Sequence, residues 1–137
     1  MNHRLHKFLA FCELYGPSVL RYGMAGVILW FSFQQFVDTQ NWTAYVPESL
    51  PSLLHLSLTT LVYVNAVFEL IFGLLLIIGW QTRIVALLLA LHLFDIMWIV
   101  GYGEIGVRDF GLAVATLAVS MHGSDILCVH HKKKITI

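Results

Sequence analysis

The chain has 137 residues; 58% are hydrophobic, only 12% are charged, and the formal net charge is zero. Soluble domains average about 25% charged residues and about 45–50% apolar ones. This balance excludes a water-soluble enzyme, a disordered chain and a nucleic-acid binder, and predicts a single-domain integral membrane protein.

Residues 1–17 place Leu5, Phe8, Leu9 and Cys12 at helical spacing, with His6, Lys7 and Glu13 off that face. The pattern predicts a short interfacial helix on the cytoplasmic side, stopped by Gly16-Pro17. Four stretches within residues 18–122 then approach the roughly 20 mostly apolar residues that a transmembrane helix needs. The first runs from Ser18 to Asp38. The second begins between Pro51 and Ser57 and ends near Gly79. The third runs from Arg83 to Gly101, and the fourth, the least apolar, from Glu104 to His122. Short turns at Gly79 to Thr82 and at Gly101-Tyr102-Gly103 make the last three spans antiparallel neighbours. The longer connection, Gln40 to Leu56, carries Trp42, Tyr45, Pro47 and Pro51 and reads as an interfacial loop with an aromatic anchor. Residues 123–137 read as a basic cytoplasmic tail, with His130 to Lys134 a solvated anchor near anionic headgroups. Cys12 and Cys128 read as free thiols, because no C-x-x-C occurs.

The expected fold is all-α: an integral membrane four-helix bundle with a short interfacial N-terminal helix. Seven of the eight Lys and Arg residues fall on one side of a four-span arrangement, Arg108 being the exception. The positive-inside rule makes that side cytoplasmic, with both termini inside a multi-pass cell membrane.

Polar groups within spans are costly and need a partner or a purpose. Counting about 1.5 Å per residue, Glu69 and His92 lie near the midplane, and Asn65 and Asp95 about 4–5 Å outward of it. Gln34, Arg108 and Asp109 lie about 7–8 Å outward, and the inner half reads as almost purely apolar. Asn65, Glu69 and Gly73 share a stripe, as do Arg108, Gly111 and Ala115. Turned inward, these stripes form a polar pocket facing the outside. Glu69, Asp95 and Asp109 outnumber the single permanent cation, Arg108, so the pocket is expected to share a proton or to charge His92. The competing reading is interhelical hydrogen-bond glue, with Arg108 paired to Glu104.

Several segments then fall into a familiar order. Arg21-Tyr22-Gly23 precedes Leu29-Trp30-Phe31. Asn65-x3-Glu69-x3-Gly73-Leu74-Leu75-Leu76 follows, then Thr82-Arg83, Leu89-Ala90-Leu91-His92 and Gly106-Val107-Arg108-Asp109-x-Gly111. Over residues 18–122 the chain resembles the DoxX family of small four-helix membrane proteins. The resemblance implies a bundle in the cytoplasmic (inner) membrane of a bacterium or archaeon. Members of that family include subunits of thiosulfate:quinone oxidoreductase and of other membrane oxidoreductase complexes, and a distant branch contains assembly chaperones. The matching positions are Glu69, His92, Arg108 and Asp109, and the resemblance supplies no agreed catalytic residues.

The reading that follows is an accessory subunit of a quinone-linked membrane redox complex. Its outer-half pocket, built from Gln34, Asn65, Glu69, His92, Asp95, Arg108 and Asp109, would bind a small anion or a quinone head group. The sequence carries no haem or flavin motif, so a partner subunit would supply the electrons. Besides the bilayer, the expected partners are other membrane subunits or further copies of the chain. The alternatives are a structural or chaperone-like membrane module and a small proton-coupled carrier.

Overall fold

The computed structural model describes residues 3–129. The expected anchor at His130 to Lys134 lies outside the described residues. Those described are helical with turns, and no strand occurs among them. Six α-helices follow in order: α1 (His3–Val37), α2 (Thr39–Trp42), α3 (Ser49–Leu54), α4 (Leu58–Ile78), α5 (Thr82–Val100) and α6 (Glu104–His122), with a 3-10 turn at Thr43–Tyr45. Helix α1 packs against α4, α4 against α5, α5 against α6, and α6 returns to α1.

Local chemistry explains the boundaries. Ser57 caps α4, its Oγ accepting from the Thr60 backbone N–H, which satisfies one of the donors that a helix start leaves open. Gly79 ends α4 at φ 75°, a left-handed conformation that glycine adopts without steric cost. The Gly79 and Trp80 N–H groups both return to the Leu75 carbonyl. Helix α5 therefore starts only three residues later and must run back alongside α4.

Two helices, α4 and α5, are long and apolar enough to cross a membrane, and only 28% of each apolar stretch is buried inside the molecule. Their outward surfaces thus present apolar side chains such as Ile71, Ile84 and Trp98 to the surroundings. A bilayer removes the cost of that exposure. The interior is built from small and aliphatic residues, including Ala25, Ile28, Leu76, Ala86 and Leu89.

Three expectations are corrected. First, α1 does not stop at Gly16-Pro17 but runs unbroken from His3 to Val37. Gly16 does not take the left-handed conformation that would end the helix. Pro17 removes one backbone donor, the one that would serve the Glu13 carbonyl, and the helix tolerates that single loss. Second, the stripe of α6 that faces inward is Gly106, Asp109, Ala113, Thr116 and Ser120. Gly111 is exposed, and a Cβ there would meet nothing within 4 Å. Third, the end expected to lie inside is not purely apolar, because Arg21 and Asp125 are buried there. Residues Gly123 to Val129 fold back over it, and the Val129 N–H donates to the Ile78 carbonyl at 3.3 Å.

Candidate functional site

The ends of the long helices beside the Gln40–Pro47 connection, the side expected to face outward, frame a half-open cavity of about 410 Å³. That volume lies in the range of small-molecule sites, about 300–1,000 Å³. Its floor is a hydrogen-bonded cluster joining α1 to α4. Gln35 Nε2 donates to Glu69 Oε2 at 2.6 Å. Asn65 Nδ2 donates to Gln35 Oε1 at 2.7 Å and to Glu69 Oε1 at 3.1 Å. Both carboxylate oxygens of Glu69 are thus held by amide donors, which is how a buried acid is kept in one orientation. One turn further in, the Ser32 hydroxyl donates to the Ala66 carbonyl at 2.8 Å and fixes the same helix pair.

Helix α5 brings His92 to this cluster. Its Nε2 lies 3.6 Å from Glu69 Oε1, beyond hydrogen-bond reach. That nitrogen is buried and has no hydrogen-bond partner among the described residues. The imidazole packs on Phe68, with ring centroids 4.7 Å apart. Asp95, one turn outward on α5, lines the cavity at an exposed position.

Helix α6 supplies Arg108 and Asp109. Arg108 Nε donates to Asp109 Oδ1 at 2.8 Å, and Asp109 is buried. The guanidinium carbon lies 4.8 Å from the centroid of the Phe31 ring, a cation–π distance. Arg108 therefore does not pair with Glu104. Its partner is the next residue on its own helix, so the pair does not lock two helices together. Trp30, Trp42 and Tyr45 add aromatic walls near the Gln40–Pro47 connection, where Trp42 stands edge-on to Phe31.

Six of the seven candidates named from sequence line this one cavity: Asn65, Glu69, His92, Asp95, Arg108 and Asp109. Gln34 does not. Its neighbour Gln35 is the buried glutamine that reaches Glu69. Gly73 shares the stripe of Glu69 but serves packing, since a Cβ there would stand 2.8 Å from Leu29 Cδ2.

Sequence reasoning missed a second polar cluster, at the inner end. Arg21 is fully buried. Its Nε donates to Asp125 Oδ2 at 2.7 Å, and its Nη1 donates to the Leu76 and Ile77 carbonyls at 2.6 Å each. These carbonyls belong to the last turn of α4, where the helix offers no donor of its own. Cys128 packs against Gly79 beside the pair, 3.3 Å from the Thr82 hydroxyl. A signal was present: Arg21 lies one turn inside the first span, where a cation needs a partner.

A chain whose described residues are all-helical, with two helices among them long and apolar enough to cross a bilayer and with ionisable groups gathered between the helices, is a small membrane protein. The family model described as DoxX matches residues 16–102, more than half of the chain. The chain belongs to the DoxX family. The match covers α1 from Gly16 through the end of α5 and leaves α6, with Arg108 and Asp109, outside it. Comparisons with curated proteins and with solved structures give no match.

Proposed function

We propose that this chain crosses a cytoplasmic membrane four times, through α1, α4, α5 and α6, with both ends inside. In that setting it is an accessory subunit of a quinone-linked redox complex, and the outer cavity holds the head group of a quinone or quinol. The observation that carries this reading is His92 Nε2, buried and unpartnered 3.6 Å from a Glu69 carboxylate already fixed by Gln35 and Asn65. A ring carbonyl or hydroxyl placed there would satisfy the nitrogen and stand beside a carboxylate able to exchange its proton.

The charges favour a neutral ligand over a small anion. Arg108 is already paired with Asp109, and Glu69 and Asp95 add further acid. An incoming anion would meet an occupied guanidinium and two more carboxylates. A neutral aromatic head group meets hydrogen-bonding groups at the floor and aromatic walls near the Gln40–Pro47 connection. Arg108, stacked on Phe31, acts here as a charged wall, while Glu69 and His92 are the groups that exchange protons with the ligand. The residue pairing also favours a ligand site over glue alone, because the Arg108–Asp109 contact joins no two helices.

Reduction of a quinone takes up two electrons and two protons. The chain supplies the proton groups, and a redox partner subunit supplies the electrons. The test is tryptophan quenching in lipid nanodiscs by a short-chain benzoquinone, since Trp30 and Trp42 line the cavity. Saturable quenching is expected, weakened about tenfold or more by His92→Gln, the loss of roughly one hydrogen bond to a buried site. Quenching that does not saturate, or that is identical in His92→Gln and Glu69→Gln, overturns the reading.

A further inference from the structure

We propose that the inner extension of α1, residues 3–16, is a docking surface for anionic lipid headgroups, swung onto the membrane about Gly16-Pro17. The starting point is a length mismatch. Helix α1 has 35 residues, or about 52 Å at 1.5 Å per residue, against a hydrocarbon core of about 30 Å. Its first buried residue is Ser18. The residues before it are all exposed except the half-buried Tyr15 and Pro17.

That exposed segment is apolar on one side. Leu5, Phe8, Cys12, Tyr15 and Val19 recur at spacings of three and four, so they form one stripe. The same register continues outward to Phe33 on the lipid-facing side of the span. The buried stripe, Ser18, Arg21, Ala25, Ile28 and Ser32, lies about a third of a turn round the helix from it. The surface that meets lipid along the span therefore runs on, without a break, onto a segment that a straight helix would hold in water. Phe8 is 62% exposed there and Phe11 58%.

Charge decides what covers it. Arg4 and Lys7 face a single acid, Glu13, and His3 and His6 add further basic groups. Two copies of this helix side by side would bring like charges together. A negatively charged leaflet attracts them, and each basic residue near such a surface strengthens attachment about fivefold. The hinge is already present. Pro17 cannot donate to the Glu13 carbonyl, so a bend there breaks fewer hydrogen bonds than at any neighbouring turn. Bent at that point, the stripe enters the headgroup boundary, Lys7 reaches the phosphates, and Glu13 stays toward water.

The test uses the full chain reconstituted in vesicles, with a nitroxide on Cys12. Cys128 is buried, so Cys12 is the selective site. Accessibility to oxygen and to a water-soluble nickel chelate reports the depth of the label. In vesicles containing phosphatidylglycerol, Cys12 is expected to be reached by oxygen and shielded from nickel. In neutral phosphatidylcholine, or in 1 M salt, it is expected to become nickel-accessible, because salt screens charges beyond about 3 Å. Reversing both charges, R4E with K7E, is expected to shift the docked-to-undocked ratio at least about thirtyfold, about fivefold per residue compounded. Both residues are exposed and precede the first buried residue of α1, Ser18, so the variant keeps its fold. Nickel accessibility that is equal in anionic and neutral vesicles overturns the proposal. So does shielding accompanied by spin–spin coupling between chains, which would make a second copy the occupant.

Discussion

Arg21 and Asp125 are separated by 104 positions in sequence, yet Nε of one lies 2.7 Å from Oδ2 of the other with both residues buried. The pair fastens the segment after α6 to the start of the packed part of α1. Through Nη1, the same guanidinium holds the last carbonyls of α4. One side chain thus closes the inner ends of three helices, and the cavity lies at their opposite ends.

Removing one member of this pair leaves a buried charge without its counterpart. Asp125→Asn is expected to lower stability by about 3–5 kcal/mol, whereas R21M with D125L is expected to lose much less. Unfolding in mild detergent, followed by circular dichroism, measures both. A single variant as stable as the parent would show that water or lipid headgroups replace the missing partner.

Asp125 also makes stability depend on pH. Burial pushes its carboxyl toward the protonated form, but hydrogen bonds from Arg21 and from the Leu127 backbone N–H, with the Arg21 charge, outweigh burial. The group therefore sits below its ordinary value of 3.8. The unfolded chain binds this proton more readily than the folded one. The stabilisation is therefore fully present above that ordinary value and is lost as the pH falls through the lower folded one. An acid titration of the melting temperature is expected to drop below about pH 4, and the drop should be smaller in Asp125→Asn.

Adjacent glutamines should behave differently. Gln35→Leu deprives Glu69 of a donor and Asn65 of an acceptor, at a cost of about 1–3 kcal/mol. Gln34→Leu breaks no side-chain contact to the cluster and should stay within about 0.5 kcal/mol of the parent. The two melting curves measured side by side decide this, and equal losses would contradict the floor of the cavity described above.

Gly79→Ala combines a left-handed backbone with a collision, since the added Cβ would lie 2.8 Å from Cys128 Cα. A loss of about 2 kcal/mol or more is expected, from the conformational term of about 1–2 kcal/mol plus the clash. Gly111→Ala meets nothing within 4 Å and should be neutral or stabilising by up to about 1 kcal/mol.

The thiols should separate by reactivity. Cys12 is exposed and Cys128 buried, so maleimide should modify Cys12 alone in the folded protein and both after denaturation. Intact-mass spectrometry reads the number of adducts directly. A second adduct on the folded protein would mean that the Gly123–Val129 segment detaches readily.

The sequence by itself determined where most of the long helices end, though not the start of α1, which runs through Gly16-Pro17, nor the start of α4, left open between Pro51 and Ser57. Ser57, Gly79 and Gly101 act through local backbone chemistry, and the fourth span reads as Glu104 to His122 in sequence and in structure alike. It also determined the composition of the cavity, because a polar residue in an apolar span stands out wherever it points. Only the tertiary structure decided which polar residues meet. A helix in water betrays its inner face by hydrophobic periodicity. A helix apolar on every side does not, so nothing local distinguishes Gln34 from Gln35, or the Arg108 face of α6 from the Asp109 face. Arg21 is the clearest case. Charge counting assigns it to the cytoplasmic surface, and packing buries it, because an acid 104 positions away folds back to meet it and the end of α4 offers it two carbonyls.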